Sequence, residues 1–146
     1  MYKRILVPLD GSPLSEAVLP HAQSLAQSEG AELILLRVAV NPGAEFSFSD
    51  PALASELIKA METESKMYLQ NLCSNLQSAG VRAAYLMRDG PIAETILEVS
   101  SAMKADIIAM STHGRSGLQR WLMGSIADRI VHHSPVPVLL IRPHIG

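Results

Sequence analysis

Gly114, Gly117 and Gly124 fall within one short stretch of the chain, and Gly124 is followed by Ser125 and an apolar pattern at helical spacing that runs to His133. Glycine lets a backbone approach a ligand closely or take positive φ, so amides in such a stretch can turn inward. Gly124-Ser125 reads as the start of the last helix, where unpaired N–H groups and the positive end of the dipole form a seat for phosphate. One exposed contact of this kind contributes roughly 0.3–1 kcal/mol, so several donors must converge to hold a phosphate chain. The Ser125 hydroxyl adds a donor, and Arg115 or Arg120 adds charge. Spacing alone leaves the alternative that the glycines only shape a connector and Ser125 only caps a helix.

Asp10 follows the apolar run Ile5-Leu6-Val7-Pro8-Leu9. A carboxylate at the C-terminal end of a buried strand either binds ribose hydroxyls and adenine polar groups or caps the turn at Ser12. Its place also resembles that of a response-regulator acceptor aspartate, but no acidic pair precedes it. His113 has no carboxylate near it in sequence and no Gly-x-Ser-x-Gly turn beside it, so loop packing is expected rather than general-base work. His132-His133 sit near a helix end, suit the dipole when protonated, and read as surface residues. Cys73, Met61 and Met67 lie in a helical pattern as core or flank. There is no Gly-x-x-x-x-Gly-Lys-Ser/Thr run, which excludes a P-loop, and no Gly-x-Gly-x-x-Gly after the first strand.

The elements that must position these residues alternate regularly. Ile5 to Leu9 reads as a buried strand ending in a turn, and Ser12-Pro13 opens a helix with Leu14, Ala17, Val18, His21, Ala22, Leu25 and Ala26 inward, ending at Gly30. Pro20 is expected to kink that helix. Glu32 to Val40 is a second buried strand closed by Asn41-Pro42-Gly43, and Ala44 to Asp50 is a loop. Pro51 to Ala79 reads as one long helix with Leu57, Met61, Tyr68, Leu72 and Leu76 on its apolar side and Gly80 as its stop. Val81 to Arg88 is a more polar strand suited to a sheet edge. A helix opened by Gly90-Pro91 turns Ile92, Ala93, Ile96, Leu97 and Met103 inward. Asp106 to Met110 is the fourth strand, Ser125 to His133 the last helix with Ile126, Ile130 and Val131 inward, and Val136 to Ile141 a strand whose Pro137 points to an edge.

Strand and helix alternate to build an α/β fold, a twisted parallel sheet of five strands with helices on both faces. Such sheets bind ligands beyond the carboxyl ends of their strands where the strand order reverses, which selects the loops Asp10 to Ser12 and Ser111 to Gly124. The 146 residues suit one domain with one core. With 48% hydrophobic and 18% charged residues, both faces of the sheet are expected to be covered. A net charge of −2 offers no general attraction to nucleic acid or anionic lipid. One cysteine cannot make an internal disulfide, and the apolar run after Lys3-Arg4 is too short for a signal peptide or a membrane span, so a cytoplasmic location is expected.

Taken together, Ile5-Leu6-Val7-Pro8-Leu9-Asp10-Gly11-Ser12, Met110-Ser111-Thr112-His113-Gly114-Arg115-Ser116-Gly117, Gly124-Ser125 and Pro135-Val136-Pro137-Val138-Leu139-Leu140-Ile141 resemble the universal stress protein family over nearly the whole chain. Its nucleotide-binding branch is marked by Gly, two residues, Gly, nine residues, Gly and then Ser or Thr. Gly114, the nine residues Arg115 to Met123, and Gly124-Ser125 match the last part, while the first glycine is replaced by Ser111.

The resemblance implies a Rossmann-like open sandwich of the adenine nucleotide alpha hydrolase-like kind. It also implies a pocket in which Pro8, Asp10 and Val38 surround the adenosine end, Met110 and Ser111 line the wall, and Gly114, Arg115, Gly124, Ser125 and Ile126 hold the phosphates. The ligand implied is ATP, or ADP or AMP, with Mg²⁺ only as a companion of the phosphates. A homodimer through the last strand is implied as well, since Val136, Val138 and Leu140 alternate with other apolar residues on an edge that left open invites uncontrolled pairing. The expected role is a stress-response sensor or regulatory module that binds rather than turns over its nucleotide, because no base, arginine finger or metal-ligand set stands beside the phosphate loop. The alternatives are a slow ATP hydrolase using His113 or Asp10, and a stress protein that binds no nucleotide and acts through protein contacts.

Overall fold

The computed structural model describes residues 1–39, 50–112 and 120–143, the first four of the last stretch by backbone alone. Five strands, β1 (Arg4–Pro8), β2 (Glu32–Ala39), β3 (Ala83–Asp89), β4 (Ile107–Ser111) and β5 (Val138–Ile141), form one parallel sheet in the order β3-β2-β1-β4-β5. The helices are α1 (Leu19–Glu29), α2 (Pro51–Ser78), α3 (Ile92–Ala102) and α4 (Arg120–His133), with a 3₁₀ turn at Ser15–Val18 before α1. Among the described residues, no helix is long and apolar enough to cross a membrane.

Alternation along each strand divides the core in two. Ile5, Val7, Leu33, Leu35, Ile107 and Ala109 face a cluster closed by Val18, Ala22 and Ala26, together with Leu69, Cys73 and Leu76 of α2. Leu6, Ile34, Leu36, Ile108 and Met110 face a second cluster closed by Ala93, Ile96 and Val99 of α3 and Ala127 and Ile130 of α4. The continuous apolar runs of the central strands therefore follow from burial on both faces. β3 and β5 take the edges, as the polar character of one and Pro137 near the other required. Val136 and Val138 are partly covered by the second cluster and Leu139 and Ile141 by the first, which leaves Leu140 exposed.

Several boundaries depart from the sequence reading. Pro20 does not kink a long helix. The chain from Ser15 to Val18 is 3₁₀, and α1 begins at Leu19 with Pro20 in its first turn, where a missing N–H costs nothing. The shorter helix turns His21 to solvent, and Val131 of α4 is likewise exposed while Ala127 is buried in its stead. On α2 the buried line is Leu69, Cys73 and Leu76. Leu57 and Met61 are only partly covered, because the first half of this 28-residue helix lies ahead of those buried positions. Asp50 is the N-cap of α2, its side chain accepting from the Ala52 amide at 3.0 Å.

The N-terminal ends of β1 and β4 are pinned by a carboxylate. Asp106 Oδ2 accepts from the Lys3 and Arg4 amides at 2.8 and 3.0 Å, and its own amide donates to the Arg4 carbonyl at 2.9 Å. These backbone donors, Lys3 first and Arg4 second, hold the Asp106 carboxyl below its ordinary pKa. A depressed folded value adds stability that is present above the unfolded pKa and lost as pH falls through the folded one. Replacing Asp106→Ala is expected to lower the unfolding free energy by about 1 kcal/mol at neutral pH. Urea melts at decreasing pH should show that gap narrowing as the carboxylate protonates. A gap of constant size would show that the charge contributes nothing.

Candidate functional site

The ladder between β1 and β4 lasts two residue pairs, Ile5 with Ile107 and Leu6 with Ile108, and then stops. β1 continues beside β2 as far as Pro8 opposite Leu36, and the Leu9 amide extends that pairing to the Leu36 carbonyl at 2.8 Å. β4 continues beside β5 to Ser111 opposite Ile141, and the Thr112 amide donates to Ile141 at 2.9 Å. The carboxyl ends of β1 and β4 thus stop pairing with each other at the point where the strand order reverses, which is where an open α/β sheet takes its ligands. Pro8 and Asp10 stand at one rim and Met110 and Ser111 at the other. Val38, two residues past Leu36, packs into the same second cluster as Met110. Gly114 and Arg115, and with them His113 and Gly117, lie outside the described residues, as does the expected loop from Ala44 up to but not including Asp50.

The loop after β1 is held by its own polar groups. Asp10 Oδ1 accepts from the Ser12 amide at 2.9 Å, so the carboxylate does cap this turn. Ser15, which the sequence reading did not single out, ties the loop together: its hydroxyl accepts from the Asp10 amide at 3.3 Å and donates to the Ser12 carbonyl at 2.9 Å. The Ser15 amide in turn donates to the Ser12 hydroxyl at 3.1 Å. The signal available in the sequence was the Ser12-x-x-Ser15 spacing, a side-chain-to-backbone motif common ahead of helices. From the other rim, the Ser111 hydroxyl donates to the Ser15 carbonyl at 3.1 Å, and both serines are buried.

On the face of the sheet covered by α1 and α2, a cleft of about 220 Å³ is lined by Asp10, Gly11, Ser12, Arg37, Glu64 and Tyr68. Gly11 has φ +89°, and a Cβ added there would lie 2.8 Å from the Arg37 guanidinium, so the loop rests directly on that side chain. Arg37 also stands 5.8 Å from the centre of the Tyr68 ring, within cation–π range. The Tyr68 hydroxyl donates to Glu16 at 2.9 Å. Burial, and after it the bond to the Glu16 carboxylate, pushes the phenol above its ordinary pKa, so it is a neutral donor. A single arginine interrupting the otherwise apolar run of β2 was the only trace of this cluster in the sequence.

The last helix begins at Arg120, five residues ahead of the expected start. Arg120-Trp121-Leu122-Met123 contains neither Gly nor Pro, so nothing in it opposes helix once the turn-forming run has ended at Gly117. The first four N–H groups of a helix lack internal partners, and Gly124 and Ser125 lie past them, so the helix-start phosphate seat does not coincide with Gly124-Ser125. Gly124 is itself partly buried, and a Cβ added to it would meet no described atom within 4 Å. Ser125 is exposed and Ile126 is partly buried in the second cluster. His132 and His133 are exposed at the helix end, with His132 Nδ1 2.7 Å from the Asp128 carbonyl. Cys73 is a buried free thiol, and Met67 is exposed.

Comparison with known proteins agrees with this architecture. Residues 1–142 match the model of the universal stress protein family. Universal stress protein MJ0531 of Methanocaldococcus jannaschii is 35% identical over 97% of this chain and 83% of its own. The solved structure of MJ0577, a universal stress protein of the same organism, superposes with a TM-score of 0.86 at 28% identity, covering 100% of this chain and 99% of the other. A family protein from Arabidopsis thaliana, solved with AMP bound, shares the fold with a TM-score of 0.71 at 16% identity, covering 98% of this chain and 93% of the other. With the five-stranded sheet and its parted centre, these matches make the chain a member of the universal stress protein family.

Proposed function

We propose that this protein binds an adenine nucleotide, ATP, ADP or AMP, at the crest between β1 and β4 and acts as a sensor or regulatory module in a stress response. The observation that carries the reading is the parting of β1 from β4 with Asp10 on one rim and Ser111 on the other, at the switch point where this architecture takes ligands. Pro8, Asp10 and Val38 receive the adenosine end, Met110 and Ser111 form the wall, and Gly114, Arg115, Gly124, Ser125 and Ile126 attend the phosphates. Mg²⁺ enters with the phosphates as their counterion. The AMP-bound family protein of the same fold supports this choice of ligand.

Gly124 supplies a second line of support. Glycine inside a helix costs about 1 kcal/mol relative to alanine, and no described neighbour would collide with a side chain there. Among the described residues that cost has no return in packing, and a ligand that approaches the backbone at that point accounts for it. The protein is further proposed to work in the cytoplasm and to dimerise through β5, whose edge position and exposed Leu140 leave apolar surface for a second copy.

Protein purified and denatured is expected to release ATP, ADP or AMP detectable by mass spectrometry, and the emptied protein to melt at higher temperature when ATP is added. No released nucleotide and no shift at millimolar ATP would reject the reading. Gly124→Ala separates binding from folding: the variant is expected to gain about 0.5–1 kcal/mol in the nucleotide-free state through helix propensity while calorimetric ATP affinity falls by an order of magnitude or more. Equal affinity in the two proteins would remove Gly124 from the site.

A further inference from the structure

We infer that Ser111 and Ser15 are positioning residues, a strut across the parted strands that sets the place of Asp10; the inference rests on the nucleotide reading above. Past Leu6 and Ile108 no ladder bond joins β1 to β4. The Ser111 hydroxyl reaches over that gap to the Ser15 carbonyl, joining residues 96 apart in sequence through a buried bond of 3.1 Å. From Ser15 the connection passes to Asp10 in one step, because the Ser15 hydroxyl receives the Asp10 amide. It also passes by a second route, since that hydroxyl holds the Ser12 carbonyl and the Ser12 amide holds Asp10 Oδ1. Both routes fix the carboxylate by bonds to groups that are themselves fixed.

The chemistry of a hydroxyl sharpens the assignment. Serine has one O–H donor, and that of Ser111 is committed to Ser15, so the side chain does not donate to a ligand. A glycine, which the family pattern carries at this position, has no group to make the bond. The departure from the pattern therefore does not act as an intrusion upon the ligand; it converts the end of β4 from a passive wall into the anchor of the opposite loop. A nucleotide held at the β4 rim then meets an Asp10 placed by that same rim.

The test uses Ser111→Ala and, in case the smaller side chain unsettles the strand end, Ser111→Gly, with Ser15→Ala approaching the strut from its other side. In nucleotide-free protein, amide hydrogen exchange at Asp10 and Ser12 is expected to quicken roughly fivefold or more in each variant, the scale of one lost hydrogen bond. ATP affinity, measured by calorimetry, should fall by a similar factor. The affinity loss caused by Ser111→Ala should shrink below about twofold in an Asp10→Ala background, because residues that act through one group are not additive. Unchanged exchange at both amides overturns the strut, and so does an undiminished affinity loss in the Asp10→Ala background, which would mean that Ser111 meets the nucleotide itself. Should Asp10→Ala abolish measurable binding, the exchange result decides alone. Wild-type protein that binds no ATP would defeat the nucleotide reading while leaving the exchange experiment to judge the strut.

Discussion

The early end of pairing between two neighbouring strands accounts for most of what is distinctive in this molecule. Along a central strand alternate residues turn their N–H and C=O groups to opposite neighbours, so bonds to one neighbour take nothing from the other. In β1, Lys3 and Leu9 bond toward β2 and Arg4 toward β4, which by alternation sets Pro8 toward β4. Proline has no N–H to donate there, and the paired run between the two strands ends at Leu6 and Ile108 while β1 continues along β2 and β4 along β5. Chain leaving each strand must then arch over the opening, and polar side chains placed there stand at its mouth by connectivity alone.

An opening of this kind is useful only if its rims keep their shape, and each rim is supported in a different manner. The β4 rim is an extension of the core, with Met110 buried in the second cluster and Ser111 buried behind it. The β1 rim is a loop of short polar residues with a left-handed glycine, which has little apolar support of its own. It is held from beneath by Arg37, which itself is flanked by Tyr68, and Tyr68 is bound to Glu16 just before α1. This puts one cation between the loop and the long helix α2. The phenol stays protonated because burial and the adjacent carboxylate both oppose a second negative charge.

The number of strands, their parallel arrangement and the identity of both edge strands were legible in the sequence, since fully buried strands are uninterrupted apolar runs and edge strands carry polar residues or proline. The rims were legible too, because turn formers follow β1 and β4 directly. Less visible were features decided by competition between neighbours. Pro20 was compatible with a kink or with a helix start, and the 3₁₀ turn at Ser15–Val18 settled it by ending where the proline has no bond to lose. The start of α4 was misplaced because Gly124 looks like a helix boundary, whereas four helix-tolerant residues ahead of it carry the helix back to Arg120. Arg37 and Glu16 were missed because their partners lie far away in the chain or on another layer, and Ser15 because its spacing from Ser12 marks only a local turn and says nothing of the bond from Ser111, 96 residues away.

Ser111 and Gly124 break local rules in opposite directions, and together they bear on how a family fold is adjusted. At Ser111 a side chain stands where the family pattern has none, and its one O–H donor is used by a bond within the protein. At Gly124 a side chain is missing where a helix would be more stable with one, and nothing described inside the protein uses the space. Packing among the described residues explains the first and does not explain the second. A pattern of glycines is therefore not a uniform requirement for bare backbone along the rim. A position such as Gly124, where no described atom comes within reach of a side chain, owes its glycine to something the chain must meet, and a position such as Ser111, whose side chain finds a partner within the protein, is free to trade its glycine for a bond that stiffens the rim.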